Sequence, residues 1–584
     1  MGSSVLPYFG VWSVMTQIET AIEQEYISGV YRWFTYAPAV TGLRLICLED
    51  RATDAVVTTT VANAERRTAA HRAWAGARQS RAAGMPWDIL REMGEKGVDP
   101  DQKLDEMFRS YGHASVGDMA RVAVDMGRIP MHLCLALFNE GSLNSGQEKS
   151  TRYQPRFGKA ILHPIRNYLP ADLAQEEVAA LEEEYQAFGT LSLTLFAQQR
   201  EQLLTAFTRY YQADTSNSAE KNALTSRVLD CVRYFLLLGQ FSGMSFETSA
   251  RDWSRILAEL KASPVTYYHR AAEQIEHLLS PSSAEEAALS YRAEAPGLVR
   301  HTNPLLTTNQ NLQALRTYIE QQSDLLNCVS IRRGAPELVT QRVRLLAATA
   351  SASDRLVAQY LLLLWPGLDR TALLNWVHTR DEAIKQQISA IIFAGHTNYA
   401  ELPAFARTTT LSLSVESFLG ELRDFNRHRA WGRFIPLPLV FGQRIDKDTV
   451  QQILARGFGL PLYLSEVPAF AALGASFTQD LQMYYQRLQS FIDRVAQRYS
   501  ADFDYAFVLN LLPLAHQVDL WMHGDPKQAL YFTSQRVRPG GHINYRALAY
   551  EANQLLASSD PYLSAIQLEQ RPDPASRIEF FDRS

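Results

Sequence analysis

Between residues 145 and 153 the chain reads Ser145-Gly-Gln-Glu-Lys-Ser-Thr-Arg-Tyr153, which crowds hydroxyls, an amide, a carboxylate and a guanidinium into one short run. Residues two apart in an extended chain point the same way, so such a loop can turn one edge to a ligand. Serine hydroxyls and an arginine fork are what a phosphate needs, and the Gln147–Glu148 pair can read the polar edge of a ring. A solvated connection has the same composition, so the stretch by itself allows both readings. Further groups of this kind stand at Tyr111-Gly-His-Ala-Ser115, at Ala394-Gly-His-Thr-Asn-Tyr-Ala-Glu401 and at Asn426-Arg-His-Arg429. His113 and His396 also suit satisfied core histidines, and Arg427 and Arg429 a solvated face.

Taken jointly, these clusters resemble the flavin-dependent thymidylate synthases. That family carries Gly-His-x-Ser-x-x-Glu-His, followed by Arg-His-Arg-x-x-Ser-x-Asn-Glu-x-Ser-x-Arg-Tyr. The first half of the chain keeps Gly-His-x-Ser and the loop, with Gln147 for Asn, but has Asp118 and Met119 for Glu-His and Glu140, Gly141 and Ser142 for Arg-His-Arg. The second half keeps His396, Glu401 and the triplet, while Ile435, Leu437 and Leu439 stand where Glu148, Ser150 and Arg152 would be. The offsets are nearly constant, 396 − 113 = 283 and 427 − 140 = 287, so a tandem duplication with reciprocal losses is the economical reading. The family's closing motif divides similarly. That motif runs Arg-x-x-Leu-Pro-Leu, then Asn-x-Arg, then Arg: the first copy has Arg233 for the leading Arg and Ser249 and Arg251 at Asn-x-Arg, and the second has Leu512-Pro-Leu514, Asp525 and Lys527 in place of Asn and Arg, and Arg536 at the last Arg, with Leu509 opposite Arg233 and Leu260 opposite Arg536.

The resemblance implies a reaction and a set of roles. The reaction is reductive methylation of dUMP to dTMP, with methylenetetrahydrofolate giving the carbon, FAD as cofactor and NADPH as reductant; a related flavoenzyme acting on another uridylate, or a non-catalytic nucleotide-binding scaffold, are the alternatives. Ser150, Arg152 and Arg233 are expected to hold the phosphate, and Gln147 and Glu148 to close the site between substrate and flavin. His396, Glu401, Arg427, His428, Arg429 and Lys527 are expected at the flavin, Arg427 also at the substrate, and Arg536 is expected to stabilise negative charge on the uracil ring. Sites in this family lie where subunits meet, which implies a homodimer of the duplicated chain forming a pseudo-tetramer.

The elements that must position these groups are expected to form a helix-rich α+β fold in two copies, residues 32–290 and 291–584, after an N-terminal helical extension over 1–31 that includes Ile18–Glu25. Gly42–Leu48 is predicted as a strand whose counterpart in the second copy is Val343–Ala348. Met119–Met126 fits helix or strand equally. Asp172–Tyr211 is predicted as a long helix from Leu181, Tyr185, Phe188, Leu191 and Leu195, three and four apart, with a shorter partner near Leu481–Tyr499. The breaker-rich runs Ser280–Glu286 and Glu294–Gly297 place the boundary between copies near residue 290.

Length and composition bound the rest. With 584 residues, 46% hydrophobic and 20% charged, the chain has material for more than one core. A formal charge of −5 and the lack of a basic run argue against nucleic-acid binding, so local arginines must hold any phosphate. Cys47, Cys134, Cys231 and Cys328 are scattered in apolar surroundings, which predicts buried free thiols, a cytoplasmic location and no metal quartet. No apolar run reaches the roughly 18 residues of a membrane span, and the start lacks a basic signal-peptide region.

Overall fold

Short runs rich in aromatic and β-branched residues, such as Tyr31-Arg-Trp-Phe-Thr-Tyr36 and Ala55-Val-Val-Thr-Thr-Thr60, form the strands. The computed structural model describes residues 22–36, 45–53, 55–60, 68–79, 89, 95–99, 102–104, 114–140, 144–151, 162–169, 173–289, 293–294, 296–306, 309–310, 342–348, 352–364, 369–394, 410–426, 428, 430–439, 444–499 and 503–582. Over these residues the fold is helix-rich α+β. Strands β1 (Ile22–Ser28), β2 (Tyr31–Tyr36), β3 (Leu45–Asp50), β4 (Ala55–Thr60), β5 (Arg121–Pro130), β6 (Ser145–Glu148) and β7 (Phe241–Ser249) make one antiparallel sheet in the order β1-β2-β3-β4-β5-β7-β6. Strands β8 (Val343–Ala348), β9 (Leu411–Phe418), β10 (Gly432–Phe434) and β11 (Gln517–Gly524) make a second, in the order β10-β11-β9-β8.

Three expectations change. Residues 22–28 are not helical but form β1, paired through a tight turn at Gly29, φ +59°, with β2. From Gln24 to Ser28 exposed and half-buried positions alternate, the period of a strand. Residues 121–130 are a strand, because Val122, Val124 and Met126 are buried and the residues between them exposed. By position in the sheets, it is β4 rather than β3 that corresponds to β8. β8 lies beside β9 as β4 lies beside β5, so β4-β5-β7-β6 and β8-β9-β11-β10 have the same order.

The intervening helices match as well. Helix α1 (Met131–Glu140) follows β5, α2 (Gln175–Tyr210) and α3 (Ser218–Val232) lie between β6 and β7, and α4 (Ala250–Leu260) follows β7. In the second half α5 (Leu419–Phe425) follows β9, α6 (Lys447–Leu454) and α7 (Ala471–Arg498) lie between β10 and β11, and α8 (Pro526–Arg536) follows β11. A final short helix, α9 (Arg577–Phe581), packs on α3. The long helix is α2, and Leu181, Tyr185, Phe188 and Leu195 are buried along it as their spacing requires. It runs against α7, where Phe188 meets Tyr484 and Phe491, Gln199 reaches Asp480 at 2.7 Å, and Arg498 reaches Glu177 at 3.2 Å.

Where the halves meet, two leucine-rich runs cross antiparallel. Leu238 N–H donates to Leu512 O at 3.1 Å, and Leu514 N–H to Leu236 O at 2.7 Å. Gly239 N–H donates to Asn510 O, and Ala515 N–H to Tyr234 O, both at 3.0 Å. Each second bond is the first with donor and acceptor moved by the same interval in opposite directions (514 − 238 = 276, 512 − 236 = 276), the reciprocity of a twofold contact. Gly239 is needed there, because a Cβ would lie 2.3 Å from the Asn510 side chain. One continuous core of buried residues runs through both halves.

Candidate functional site

Helix α5 gathers most of the expected site that falls among the described residues. It is about two turns of Leu-Gly-Glu-Leu-Arg-Asp-Phe, entered from β9, and all seven of its residues are buried. Its start is anchored by Glu421, which accepts from Tyr234 Oη at 2.9 Å, Arg342 Nη2 at 2.9 Å and Ser417 Oγ at 3.0 Å. Burial alone would raise this carboxyl, yet Arg342, His542 and the two hydroxyls hold it below the usual carboxylate range.

The next turn reaches into the first half of the chain. Arg423 donates to both carboxylate oxygens of Glu148, at 2.5 and 3.2 Å, and to the Lys149 backbone oxygen at 3.0 Å. Burial opposes the charge on Arg423, but Glu148 more than restores it and its pKa rises. Asp424 accepts from Arg233 Nη2 at 3.2 Å, and Arg233 is 2% exposed. Asn426 Nδ2 donates to Leu135 O at 3.2 Å, tying the end of α5 to α1. Beyond it, His428 Nε2 accepts from Arg536 Nε at 2.5 Å, with the His428 ring against Phe532 and Tyr531. The Arg536 guanidinium lies 5.4 Å from the Tyr545 ring centre, and its two Nη groups have no hydrogen-bond partner among the described residues.

The sequence expectations thus fall into three groups. Glu148, Arg233, His428 and Arg536 are drawn onto α5 and the turn after it. Gln147 and Ser150 flank Glu148; Gln147 is exposed on β6 opposite Ser245, and Ser150 is half-buried. Lys527 lies in the first turn of α8, after the N-cap Asp525, whose carboxylate accepts from Gln528 N–H at 2.9 Å. Ser249 caps α4 in the same way, and Arg251 pairs with Asp118 at 2.9 Å. Arg152, His396, Glu401, Arg427 and Arg429, with His113, lie outside the described residues.

Three side chains of this corner were not foreseen. Arg423 and Asp424 supply the two charged contacts that α5 makes with the first half, and the only signal in the sequence was their place one turn before Arg427. Lys149 is half-buried, its backbone N–H held by Gly243 O at 2.8 Å, and its ammonium has no partner among the described residues. Burial pulls its pKa down, which leaves a poorly solvated cation beside Ser150.

The donor set suits an anion. Arg233 Nε is buried without a partner, Lys149 and the Arg536 Nη groups are uncommitted, and Ser150 adds a hydroxyl. For a flavin, the described residues contribute His428, a neutral acceptor toward Arg536, and Lys527. Cys134 packs beside Glu148, but burial pushes its thiol well above the ordinary value, so it is a poor nucleophile. Cys47, Cys134 and Cys231 are buried free thiols, as expected, and Cys328 lies outside the described residues. Among the described residues no group of His, Cys, Asp and Glu is placed to hold a metal, and no helix is long and apolar enough to cross a membrane.

No family model matches the chain. A UPF0159 protein of Chlamydia pneumoniae is 19% identical over 473 residues, 79% of this chain and 80% of that protein. Among solved structures, the flavin-dependent thymidylate synthase ThyX of Helicobacter pylori complexed with FAD and dUMP aligns over 38% of this chain and 95% of its own, at 10% identity and a TM-score of 0.23. A second structure of ThyX from Helicobacter pylori with FAD and dUMP aligns over 39% and 98%, at 12% identity and the same TM-score. The chain is thus similar over most of its length to a UPF0159 protein.

Proposed function

We propose that the chain is a flavin-dependent thymidylate synthase built from two tandem copies, residues 32–290 and 291–584, whose complementary half-motifs make one working site. The observation that carries this reading is the Glu148–Arg423 pair. The loop kept only by the first copy is hydrogen-bonded to the helix that leads into the Arg-His-Arg triplet kept only by the second. The matched strand order and the twofold hydrogen bonds between Tyr234–Gly239 and Asn510–Ala515 support the duplication.

In this reading Ser150, Lys149, Arg152 and Arg233 hold the phosphate of dUMP, and charge-assisted bonds of this kind contribute about 1.5–3 kcal/mol each when sheltered. Arg536, steered by His428 and Tyr545, turns its Nη groups to the ring and stabilises the charge that develops there. His396, Glu401, Arg427, His428, Arg429 and Lys527 hold FAD, which when bound supplies the hydride, while NADPH and methylenetetrahydrofolate enter as co-substrates. A homodimer completes the pseudo-tetramer. One observation favours a second reading, a nucleotide-binding scaffold: Arg233 is buried against Asp424 and braces the interior.

Purified protein should be yellow and should release tritium from C5-labelled dUMP only when NADPH and methylenetetrahydrofolate are both present. Arg536→Ala should lower that rate by about 10²-fold or more without releasing the flavin. A colourless protein that cannot rescue a thymidine auxotroph leaves the scaffold reading, and faster turnover of UMP than of dUMP points to another uridylate.

A further inference from the structure

The twofold relation between the halves places a second corner opposite the one just described, and that corner is a cavity of about 700 Å³. The shift that relates β6 to β10 carries Glu148, Ser150 and Arg152 onto Ile435, Leu437 and Leu439, and Arg423 onto Ala136. Ile435, Leu437, Leu439 and Ala136 all line the cavity. It is therefore the discharged twin of the candidate site. A phosphate finds little there, because Arg456, the one arginine on its wall, is paired with Asp519 at 2.6 Å.

What the wall does offer is a carboxyl. Glu140, at the end of α1, is half-buried, and its side chain has one hydrogen-bond partner among the described residues, Asn139 Nδ2 at 2.9 Å. Arg255 and Arg433 lie near enough to act on its charge, but their hydrogen bonds go to other groups. Arg255 binds Glu259 and Asp252 and the Glu140 backbone oxygen, and Arg433 donates to the backbone oxygens of Phe138 and Asn426. The same wall includes Phe434, 55% exposed, with its ring 5.5 Å from that of Trp521. An acceptor carboxyl sharing a cavity with an uncovered aromatic and a proline–leucine run is what holds a flat ring with an N–H edge.

We propose that this cavity is a second ligand site, distinct from the candidate catalytic corner, for a planar aminoheterocycle without phosphate. Glu140 takes the amidine-like N–H edge, and Phe434, Pro436 and Leu437 take the ring face. The volume suits two or three fused rings. The origin of the site rests on the two-copy reading, but its chemistry does not.

The test uses the full chain and proflavine, a fluorescent planar aminoacridine. Titration should show one site per chain. Glu140→Gln should weaken binding about ten-fold, and Gln452→Trp, placed on the exposed rim of α6, should abolish it while circular dichroism shows both variants folded. Gln147→Ala, at the other corner, should leave the affinity within about two-fold, and the aromatic sulfonate anilinonaphthalene sulfonate should not compete. Unchanged binding in Glu140→Gln and Gln452→Trp, or equal competition by the sulfonate, overturns the proposal. A protein that lacks tritium release yet gives the expected proflavine result sinks the synthase reading alone.

Discussion

At the scale of single residues, the two corners are a natural comparison of charged and apolar solutions to one packing problem. One corner holds Glu148, Arg423, Arg233 and Asp424; the related positions hold Ile435, Ala136, Leu509 and Leu137, all buried. A buried pair repays its desolvation only while both partners are present. Glu148→Ile or Arg423→Ala should each cost about 3–5 kcal/mol, because the partner stays charged inside the protein. The double variant Glu148→Ile with Arg423→Ala copies the other corner and should recover most of that loss while abolishing nucleotide binding. Urea unfolding of the four proteins measures the cycle, and additive losses would falsify the pairing. Glu148 and Arg233 were legible in the sequence because they sit in motifs. Their partners Arg423 and Asp424 were not, since the contacts span 275 and 191 residues and no local pattern marks them.

At the scale of elements, periodicity was legible wherever one face is buried and the other is wet. The long helix α2 and strand β5 follow from it, although β5 stayed ambiguous until its pairing with β7 showed which residues face inward. The N-terminal helix was misread because Ile22–Ser28 has acidic residues that suit a helix start, and only the Tyr31–Tyr36 strand beside it settles the hairpin. The counterpart of β8 was misplaced for a similar reason: β3 and β4 both read as strands, and position in the sheet separates them. Long-range clamps between elements were not legible at all. Arg227 on α3 donates to the backbone oxygens of Pro539, Gly541, Glu579, Phe580 and Asp582, at 2.6–3.2 Å, and is 1% exposed. It thereby fixes both the loop after Arg536 and helix α9. Arg227→Met should strand several carbonyls and cost about 3 kcal/mol or more. Limited proteolysis should then cut first within the last residues of the chain, and an unchanged cleavage pattern would remove the clamp from the argument.

At the scale of the whole molecule, polar groups buried between the halves make the fold sensitive to acid. His132 on α1 contacts Asn510 of the second half at 2.8 Å and Tyr268 at 2.9 Å, and burial lowers its pKa from 6.5 to about 4. His516 is lowered to about 3 by burial and by Arg456, and His163 lies well below its ordinary value because it is buried beside His132. A depressed pKa in the folded state means that the unfolded chain binds the proton first. The stability is present above pH 6.5 and is lost as the pH falls through the folded values. For His132 alone the loss at pH 5 is about 2 kcal/mol. Chemical denaturation at pH 7.5 and pH 5 should show a drop of at least that size in the wild type, and a smaller one in His132→Gln. Equal drops would place the acid sensitivity elsewhere.

The self-mating bonds between Tyr234–Gly239 and Asn510–Ala515 have one more effect, on behaviour at low abundance. Separate subunits that share a site come apart on dilution, and the site goes with them. Here the two contributors are tethered in one polypeptide, so their mutual effective concentration is a fixed property of the chain. The Glu148–Arg423 corner should therefore stay assembled however scarce the protein is in the cell.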